Sequence, residues 1–248
     1  MPCHTSSKRP CVAYFLRLFT ETSKLPAALQ HTERIKKIVA APDDLNSIFA
    51  DAIRAYDTLV EEIMAERPPA GPYACRQGCN TCCSQPELSL SAVEVLCVAE
   101  HIEKTFTAGQ RAALREQLAD LKTAKRSTAG VNPQPLYDCP LMTTSGCSVY
   151  EARPFACRGH HSYDLAECEE AKRTGFTVPV IHQYGEQVAA AQIIVVALRQ
   201  GLLENNLEAD LLDLHLALKI ALDDPDARTR WLAGETIFAD ARARNAES

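Results

Sequence analysis

Apolar residues recur every three or four positions along several stretches of this chain, the spacing that places them on one face of a helix. The first stretch runs from Leu45 to Ile63. It stops before Pro68-Pro69, because proline lacks the amide hydrogen that continues a helix. We therefore predict the first firm helix over these residues.

Two capping boxes predict where the next helices begin. In each, a hydroxyl residue is followed three positions later by Glu or Gln, and the two side chains can accept hydrogen bonds from each other's free amides. The pairs are Ser91 with Glu94 and Thr107 with Gln110. We expect a helical hairpin over residues 91–126.

Three further helices are predicted toward the C-terminus. The segment 186–203 is the most apolar, and 207–222 is amphipathic. The last helix starts at Asp224, because the following proline suits the first helical position, and it carries Trp231 and Phe238. Strand patterns are scarce. We predict an all-α fold whose irregular cysteine-rich loops pack between the N-terminal hairpin and a layer of these three helices.

Composition limits the number of domains and the kinds of partner. The 248 residues are 46% apolar, enough to bury a core, and we assign 41–248 to a single helical domain. Residues 1–40 carry seven Lys and Arg against two Asp and Glu. We expect this basic leader to be frayed or disordered, although it could touch a membrane or an RNA. The remainder is acidic, because the whole chain has a net charge of -6, and this argues against nucleic-acid binding.

Seven of the eleven cysteines lie in two short stretches, the first cysteine segment (75–83) and the second cysteine segment (139–157). Crowded thiolates repel one another and oxidise easily, and a bound zinc ion or iron cluster neutralises them. We predict a metal-binding core over residues 75–158. The candidate ligands are Cys75, Cys79, Cys82 and Cys83 in the first segment and Cys139, Cys147 and Cys157 in the second.

Disulfide bonds are the competing explanation of these cysteines. They are disfavoured because eleven is odd, Cys82 and Cys83 are adjacent, and the N-terminus has no recognisable export signal. The longest apolar run, 188–198, is too short to cross a bilayer, so no transmembrane segment is predicted. We expect a reduced protein of the cytoplasm. Four cysteines in the leader or in helical positions are excluded as ligands: Cys3, Cys11, Cys97 and Cys168.

The number of thiols leaves the kind of centre open. Seven exceeds the four that one tetrahedral zinc ion or one four-iron cluster needs. Either the surplus is structural, or there are two sites, or bridging thiolates hold a multinuclear centre. The proline after Cys139 is typical of ferredoxin ligand runs, which favours iron slightly over zinc. Arg76, Arg153 and Arg158 lie among the candidate ligands, where their charge could offset that of the thiolates.

The arrangement of these residues resembles a known family. The first segment ends in a cysteine doublet, Cys139 is followed by proline, and residues 147–158 read C-x-V-Y-x-x-R-P-x-x-C-R. This combination is similar to the zinc- or iron-chelating cysteine-cluster family, which includes the flagellin lysine N-methylases. The resemblance covers about a third of the chain. It implies the same seven cysteines as ligands and leaves the metal open.

Two classes of function remain open on the sequence. The first is a cytoplasmic metal-binding protein that holds zinc or an iron–sulfur cluster through the two segments. The second is a metal-dependent enzyme, such as a protein lysine N-methylase or an iron–sulfur redox or radical S-adenosylmethionine catalyst. A conventional methyltransferase is disfavoured because the chain has no G-x-G turn, and the strands of a radical-enzyme barrel are not predicted. A protein partner for the acidic C-terminal helices is also open.

Overall fold

The computed structural model describes residues 45–76, 78–176 and 181–244, and this part of the chain is mostly helical, as predicted. The basic leader, residues 1–40, lies outside the described residues. No helix in the described residues is long and apolar enough to cross a lipid bilayer. The helices are α1 (Leu45–Glu66), α2 (Ala92–Thr105), α3 (Ala108–Ser127), α4 (Phe155–Gly159), α5 (Leu165–Arg173), α6 (Gly185–Glu204), α7 (Leu214–Asp223) and α8 (Ala227–Leu232).

Short antiparallel strands connect segments that are distant in sequence. Each has two residues, and the pairs are β1 with β3, β2 with β6, and β4 with β5. The sequence had suggested that the cysteine segments are irregular throughout. The structure instead places β4 and β5 within the second segment and β3 directly before it. The strands are β1 (Ser84–Gln85), β2 (Ser89–Leu90), β3 (Tyr137–Asp138), β4 (Met142–Thr143), β5 (Gly146–Cys147) and β6 (Leu212–Asp213).

The predicted helix starts in the first half of the fold are confirmed. Both capping boxes form, with the Glu94 amide donating to Ser91 Oγ and the Ser91 amide donating to Glu94 Oε2 at 2.8 Å. Thr107 and Gln110 make the same reciprocal pair at the start of α3. The helix α1 ends at Glu66, just before the two prolines, as expected.

The helices pack differently from the predicted hairpin and layer. The helices α2 and α3 each pack against α7 far more extensively than against each other. The helix α6 instead packs against α1 and α4. The prediction that α6, α7 and α8 form one layer is therefore wrong. The narrow buried face of α3, with Leu114 and Leu118, explains why one partner helix suffices to cover it.

The start of α7 differs from the prediction for a specific reason. Residues 207–211 are not helical, and the helix begins only at Leu214. Asp213 ends the extended segment, because its carboxylate accepts hydrogen bonds from the amides of His215 at 3.0 Å and Leu216 at 3.1 Å. The residue before it, Leu212, is paired with Leu90 of β2. These contacts are long-range, so local periodicity did not reveal them.

The last helix is also shorter than predicted. It begins at Ala227 rather than at Asp224, and it ends at Leu232. Gly234 follows with a φ of 86°, a left-handed conformation that glycine adopts without strain and that commonly ends helices. Phe238 therefore lies beyond the helix, where the buried carboxylate of Glu208 accepts a hydrogen bond from its amide.

A buried ion pair joins α3 to the flanks of both cysteine segments. Lys125 Nζ lies 2.6 Å from Asp213 Oδ2 and donates to the carbonyl of Pro86 at 2.8 Å. The same ammonium lies 4.8 Å from the centroid of the Tyr137 ring. Pro86 follows the first segment and Tyr137 precedes the second. One lysine therefore holds the exit of one segment and the entry of the other.

We predict that Lys125→Met lowers the free energy of unfolding by about 3 kcal/mol or more, because it leaves the Asp213 carboxylate buried without its cation. The matched control is Lys104→Met, which removes an exposed lysine paired with Glu100 at 2.5 Å. That change should cost less than about 1 kcal/mol. Urea unfolding under reducing conditions measures both, and equal losses in the two variants would contradict this role of Lys125.

Candidate metal centre

Two tight turns shape the first cysteine segment. The Cys79 amide donates to the Arg76 carbonyl at 3.0 Å, and the Cys83 amide donates to the Asn80 carbonyl at 2.9 Å. Gly78 lies in the first turn with a φ of 80°, a conformation that residues with a Cβ atom rarely adopt. The second turn is a 3₁₀ helix over Thr81–Cys83. The two turns therefore bend the chain twice between Cys75 and Cys83.

The second segment begins against the end of the first. The Cys139 amide donates to the Cys83 carbonyl at 2.8 Å, which continues the pairing of β1 with β3. The hairpin of β4 and β5 then turns back, and a Cβ at Gly146 would lie 3.8 Å from the Gly78 amide nitrogen. The backbones of the two segments are thus in direct contact.

The helix α4, which carries Cys157, is fixed by close packing on both sides. Phe155 is fully buried. The centroid of its ring lies 5.7 Å from the ring centroid of Phe49 and 5.9 Å from that of Tyr56. At the other end of the helix, a Cβ on Gly159 would come within 2.6 Å of the Ala191 Cβ of α6. Only glycine allows this approach, so the sequence fixes how closely α4 lies to α6.

The Glu94 carboxylate links α2 to α4. It is fully buried, and its Oε1 accepts a hydrogen bond from the Phe155 amide at 2.9 Å. Its Oε2 accepts from the amide of Ser91 at 2.8 Å and from the hydroxyl at 2.7 Å. Burial raises the pKa of Glu94, and these hydrogen bonds oppose the rise. One carboxylate therefore caps the starts of two helices beside Cys157.

Thiols from both segments lie within electrostatic range of one another. Burial raises the pKa of the Cys157 thiol, and the charges of Cys139, Cys82 and Cys147 raise it further. Burial likewise raises the pKa of Cys139 to about 11, opposed by a backbone hydrogen bond, with Cys147 and Cys82 adding to the rise. We call Cys82, Cys139, Cys147 and Cys157 the inner thiol group.

The cysteine doublet and one arginine complete the surroundings of the inner thiol group. A hydrogen bond with the Cys83 thiol and burial raise the pKa of Cys82, and the nearby charge of Arg153 opposes the rise. Burial raises the pKa of Cys147, and Arg153 again lowers it. The Arg153 guanidinium lies 3.9 Å from the centroid of the Tyr150 ring, and its buried Nε has no hydrogen-bond partner.

The three arginines of the sequence pattern thus have different surroundings. Arg153 is the one whose charge acts on the thiols. The side chain of Arg158 donates to the carbonyls of Arg153 and Glu151, so it supports the backbone of the second segment. Arg76 is exposed. Only Arg153 is placed to compensate negative charge on the sulfurs.

A second set of thiols lies within electrostatic range of Cys82. The residue Cys75 is exposed, but its thiol is partly desolvated, and this raises its pKa. The charges of Cys79 and Cys82 raise it further. Burial raises the pKa of Cys168, a hydrogen bond with the Ser162 side chain opposes the rise, and the charges of Cys75, Cys82 and Cys79 add to it. We call Cys75, Cys79 and Cys168 the outer thiol group.

The sequence interpretation excluded Cys168 as a ligand together with Cys97, and the structure places the two residues differently. The two residues are comparably buried, at 7% and 4% exposure. Cys97 lies in α2 with its thiol donating to the Leu45 carbonyl at 3.5 Å. Cys168 instead lies in α5, whose other buried residue is Ala171.

The donor set has the chemistry of a soft-metal site. Each cysteine in the described part of the chain is a free thiol. Sulfur ligands select zinc, copper(I) or iron–sulfur clusters over hard cations. As the side chains lie, however, no three Cys, His, Asp or Glu of the described residues converge closely enough to hold one metal ion. Ligation would therefore require thiol side chains to change rotamer.

Comparison of the chain with family models, with curated proteins and with solved structures found no match in any of the three. The resemblance to the cysteine-cluster family therefore rests on the motif residues alone.

We predict that Gly159→Ala lowers the free energy of unfolding by about 1–3 kcal/mol, because the new methyl group overlaps Ala191 and pushes α4 away from α6. Ala191→Gly opens the required space. The double variant should therefore be more stable than the sum of the two single changes implies. Urea unfolding of all four proteins measures this coupling, and strictly additive losses would show that the close approach is unimportant.

Proposed function

We propose that this chain is a metal-binding protein of the cytoplasm, which holds zinc or an iron–sulfur cluster through cysteines of both segments. The observation that carries the proposal is the inner thiol group. Cys82 comes from the first segment, and the other three come from the second. Their sulfurs lie close enough for each to affect the ionisation of its neighbours.

The inner thiol group is difficult to explain without a bound metal. Buried thiolates are poorly solvated and repel one another, which is why the pKa of Cys139 rises to about 11. A metal ion reverses this effect, because its positive charge stabilises the thiolate form and the thiol protons are released to solvent on binding. Four half-buried thiols near one another have little use as neutral apolar groups, since Ala or Val would pack as well.

The number and surroundings of these thiols support the same function. The inner group offers four sulfurs, the number that one tetrahedral zinc ion or one four-iron cluster takes. Arg153 supplies a cation beside Cys82 and Cys147, which would offset the net negative charge of a four-thiolate site. Free thiols persist in the reducing cytoplasm, which supports that location. The motif resemblance to the cysteine-cluster family implies seven cysteine ligands, and these four are among them.

Protein purified without oxygen tests the proposal. We expect it to carry either stoichiometric zinc or iron with acid-labile sulfide, the latter giving a brown colour. Metal analysis by mass spectrometry and a sulfide assay distinguish the two. A folded protein that contains neither metal, and that binds neither when they are supplied, would refute the proposal.

We predict that Cys157→Ser lowers metal content after dialysis against a chelator, with at least about a tenfold loss of affinity at the altered centre. The variant should also unfold at a lower urea concentration, because the free energy of metal binding contributes to folding. The matched control is Cys97→Ser, since Cys97 is also buried but lies in α2 away from the segments. A greater loss of metal from Cys97→Ser than from Cys157→Ser would show that the ligands are misassigned.

A further inference from the structure

We propose that His160 and His161 form an acid-sensitive latch, which holds the start of α6 and the entry to the first cysteine segment in place at neutral pH. The two histidines follow α4 directly. Each ring accepts a hydrogen bond from the residues before α6, and a ring nitrogen that gains a proton can no longer accept. The inference does not depend on a bound metal, so it is tested separately from the proposed function.

The His161 ring uses both of its nitrogens in hydrogen bonds. The Tyr184 amide nitrogen lies 2.6 Å from Nε2, and because a backbone amide can only donate, Nε2 accepts and carries no proton. The proton of the neutral ring is therefore on Nδ1, which donates to the Gly159 carbonyl at 2.9 Å. His161 is 3% exposed, so water has little access to either bond. These contacts fix the ring in one neutral tautomer.

The His160 ring accepts from the same short connection. Gln183 Nε2 donates to the His161 carbonyl at 2.8 Å and lies 3.2 Å from His160 Nδ1. Because this amide nitrogen is a donor, Nδ1 accepts and the proton of the neutral ring is on Nε2. That Nε2 is buried and has no hydrogen-bond partner among the described residues. The two residues that precede α6 thus both donate to unprotonated ring nitrogens.

Contacts around the histidine pair join three segments of the chain. The Ser162 carbonyl accepts a hydrogen bond at 2.8 Å from the amide of Ala74, which directly precedes the first cysteine segment. The ring centroid of Tyr73 lies 4.3 Å from that of His161, and the Tyr73 hydroxyl donates to the Gln187 side chain of α6 at 2.9 Å. The latch therefore connects the end of α4, the start of α6 and the entry to the cysteines.

Tyrosine rings rather than carboxylates surround His161. The ring centroids of Tyr73, Tyr163 and Tyr184 lie 4.3, 6.2 and 6.5 Å from that of His161. Burial raises the pKa of Tyr73 and of Tyr184 to about 12, so these two phenols stay neutral. The fourth titratable neighbour is His160, whose own proton would repel one on His161. Among the described residues, no carboxylate is placed to stabilise a charged ring of the pair.

The charged side chains at the edge of the latch have partners of their own. Arg67 Nη1 lies 3.9 Å from Glu186 Oε1, and both residues act electrostatically on Tyr184. The Glu167 carboxylate pairs with the exposed ring of His182, and hydrogen bonds from His182 lower the pKa of Glu167. A proton on His182 strengthens that pair. The same proton on His161 breaks a hydrogen bond, so the two rings respond to acid in opposite ways.

Protonation of His161 replaces an attraction by a repulsion. A proton on Nε2 would face the amide hydrogen of Tyr184, and this amide cannot turn away unless the residue before α6 moves. Burial lowers the pKa of His161, opposed by the hydrogen bond with Gly159, and burial and the charge of His161 lower the pKa of His160. The opened segment therefore binds protons more readily than the closed one. The latch has its full stability above about pH 6.5 and loses stability as the pH falls below that value.

Hydrogen exchange of the full-length, reduced protein at about pH 7.5 and about pH 5.5, corrected for the intrinsic exchange rate, tests the latch. We expect opening of residues 160–163 and 182–187 to increase about three- to tenfold at the lower pH. His161→Gln should remove most of this increase, because the glutamine oxygen can accept from the Tyr184 amide but does not titrate. The matched control, His182→Gln, should keep it. No increase in the wild-type chain, or an equal increase in His161→Gln, would overturn the inference.

Nuclear magnetic resonance of the wild-type chain avoids any variant that fails to fold. The ring signals of His161 should titrate with a midpoint below about pH 6.5, and the amide signals of residues 182–187 should change over the same pH range. A His161 midpoint at or above about pH 6.5 would overturn the inference. A titration of His161 that leaves those amide signals unchanged would also overturn it.

Discussion

The buried carboxylate of Glu94 is the contact on which the position of the second cysteine segment depends. It accepts hydrogen bonds from Ser91 at the start of α2 and from Phe155 at the start of α4. Removing it would leave buried amides without acceptors, at a cost of about 1–3 kcal/mol for each. Because Phe155 is also held between Phe49 and Tyr56, Cys157 follows α4 into a fixed position beside the other thiols.

A second buried charged side chain, that of Lys125, holds the end of the first cysteine segment and the start of the second in place. The Lys125 ammonium binds Asp213 and the Pro86 carbonyl and lies over the Tyr137 ring. The helices thus provide a rigid support, and two buried charged side chains fasten the cysteine segments to it. Such a support is what a ligand set needs, because the sulfurs must be held close despite their mutual repulsion in the absence of metal. The proposed centre is therefore a consequence of packing as much as of cysteine spacing.

Sequence patterns predicted the elements whose causes are local. The capping boxes at Ser91 and Thr107 gave the starts of α2 and α3, and the prolines after Glu66 gave the end of α1. They failed where distant residues decide the structure. The start of α7 is set by pairing of β2 with β6, which local periodicity cannot indicate.

The candidate site shows the same division between local and distant causes. Spacing identified the cysteines of the two segments, and the structure brings the segments into contact through Cys83 and Cys139. The exclusion of Cys168 followed from its charged surroundings in sequence. Its burial against the Thr81–Cys83 turn depends on how α5 packs, a tertiary contact that cysteine spacing does not encode. Sequence spacing thus names the candidate ligands, and packing decides which of the thiols lie near one another.

X-ray diffraction at the absorption edge of the bound metal, from crystals grown without oxygen, tests the central claim most directly. The account predicts an anomalous peak with sulfurs of Cys82, Cys139, Cys147 and Cys157 at about 2.3 Å from it. Thiols from both segments would then share one centre. A peak bound by one segment alone, or well-ordered inner thiols with no metal beside them, would contradict the account.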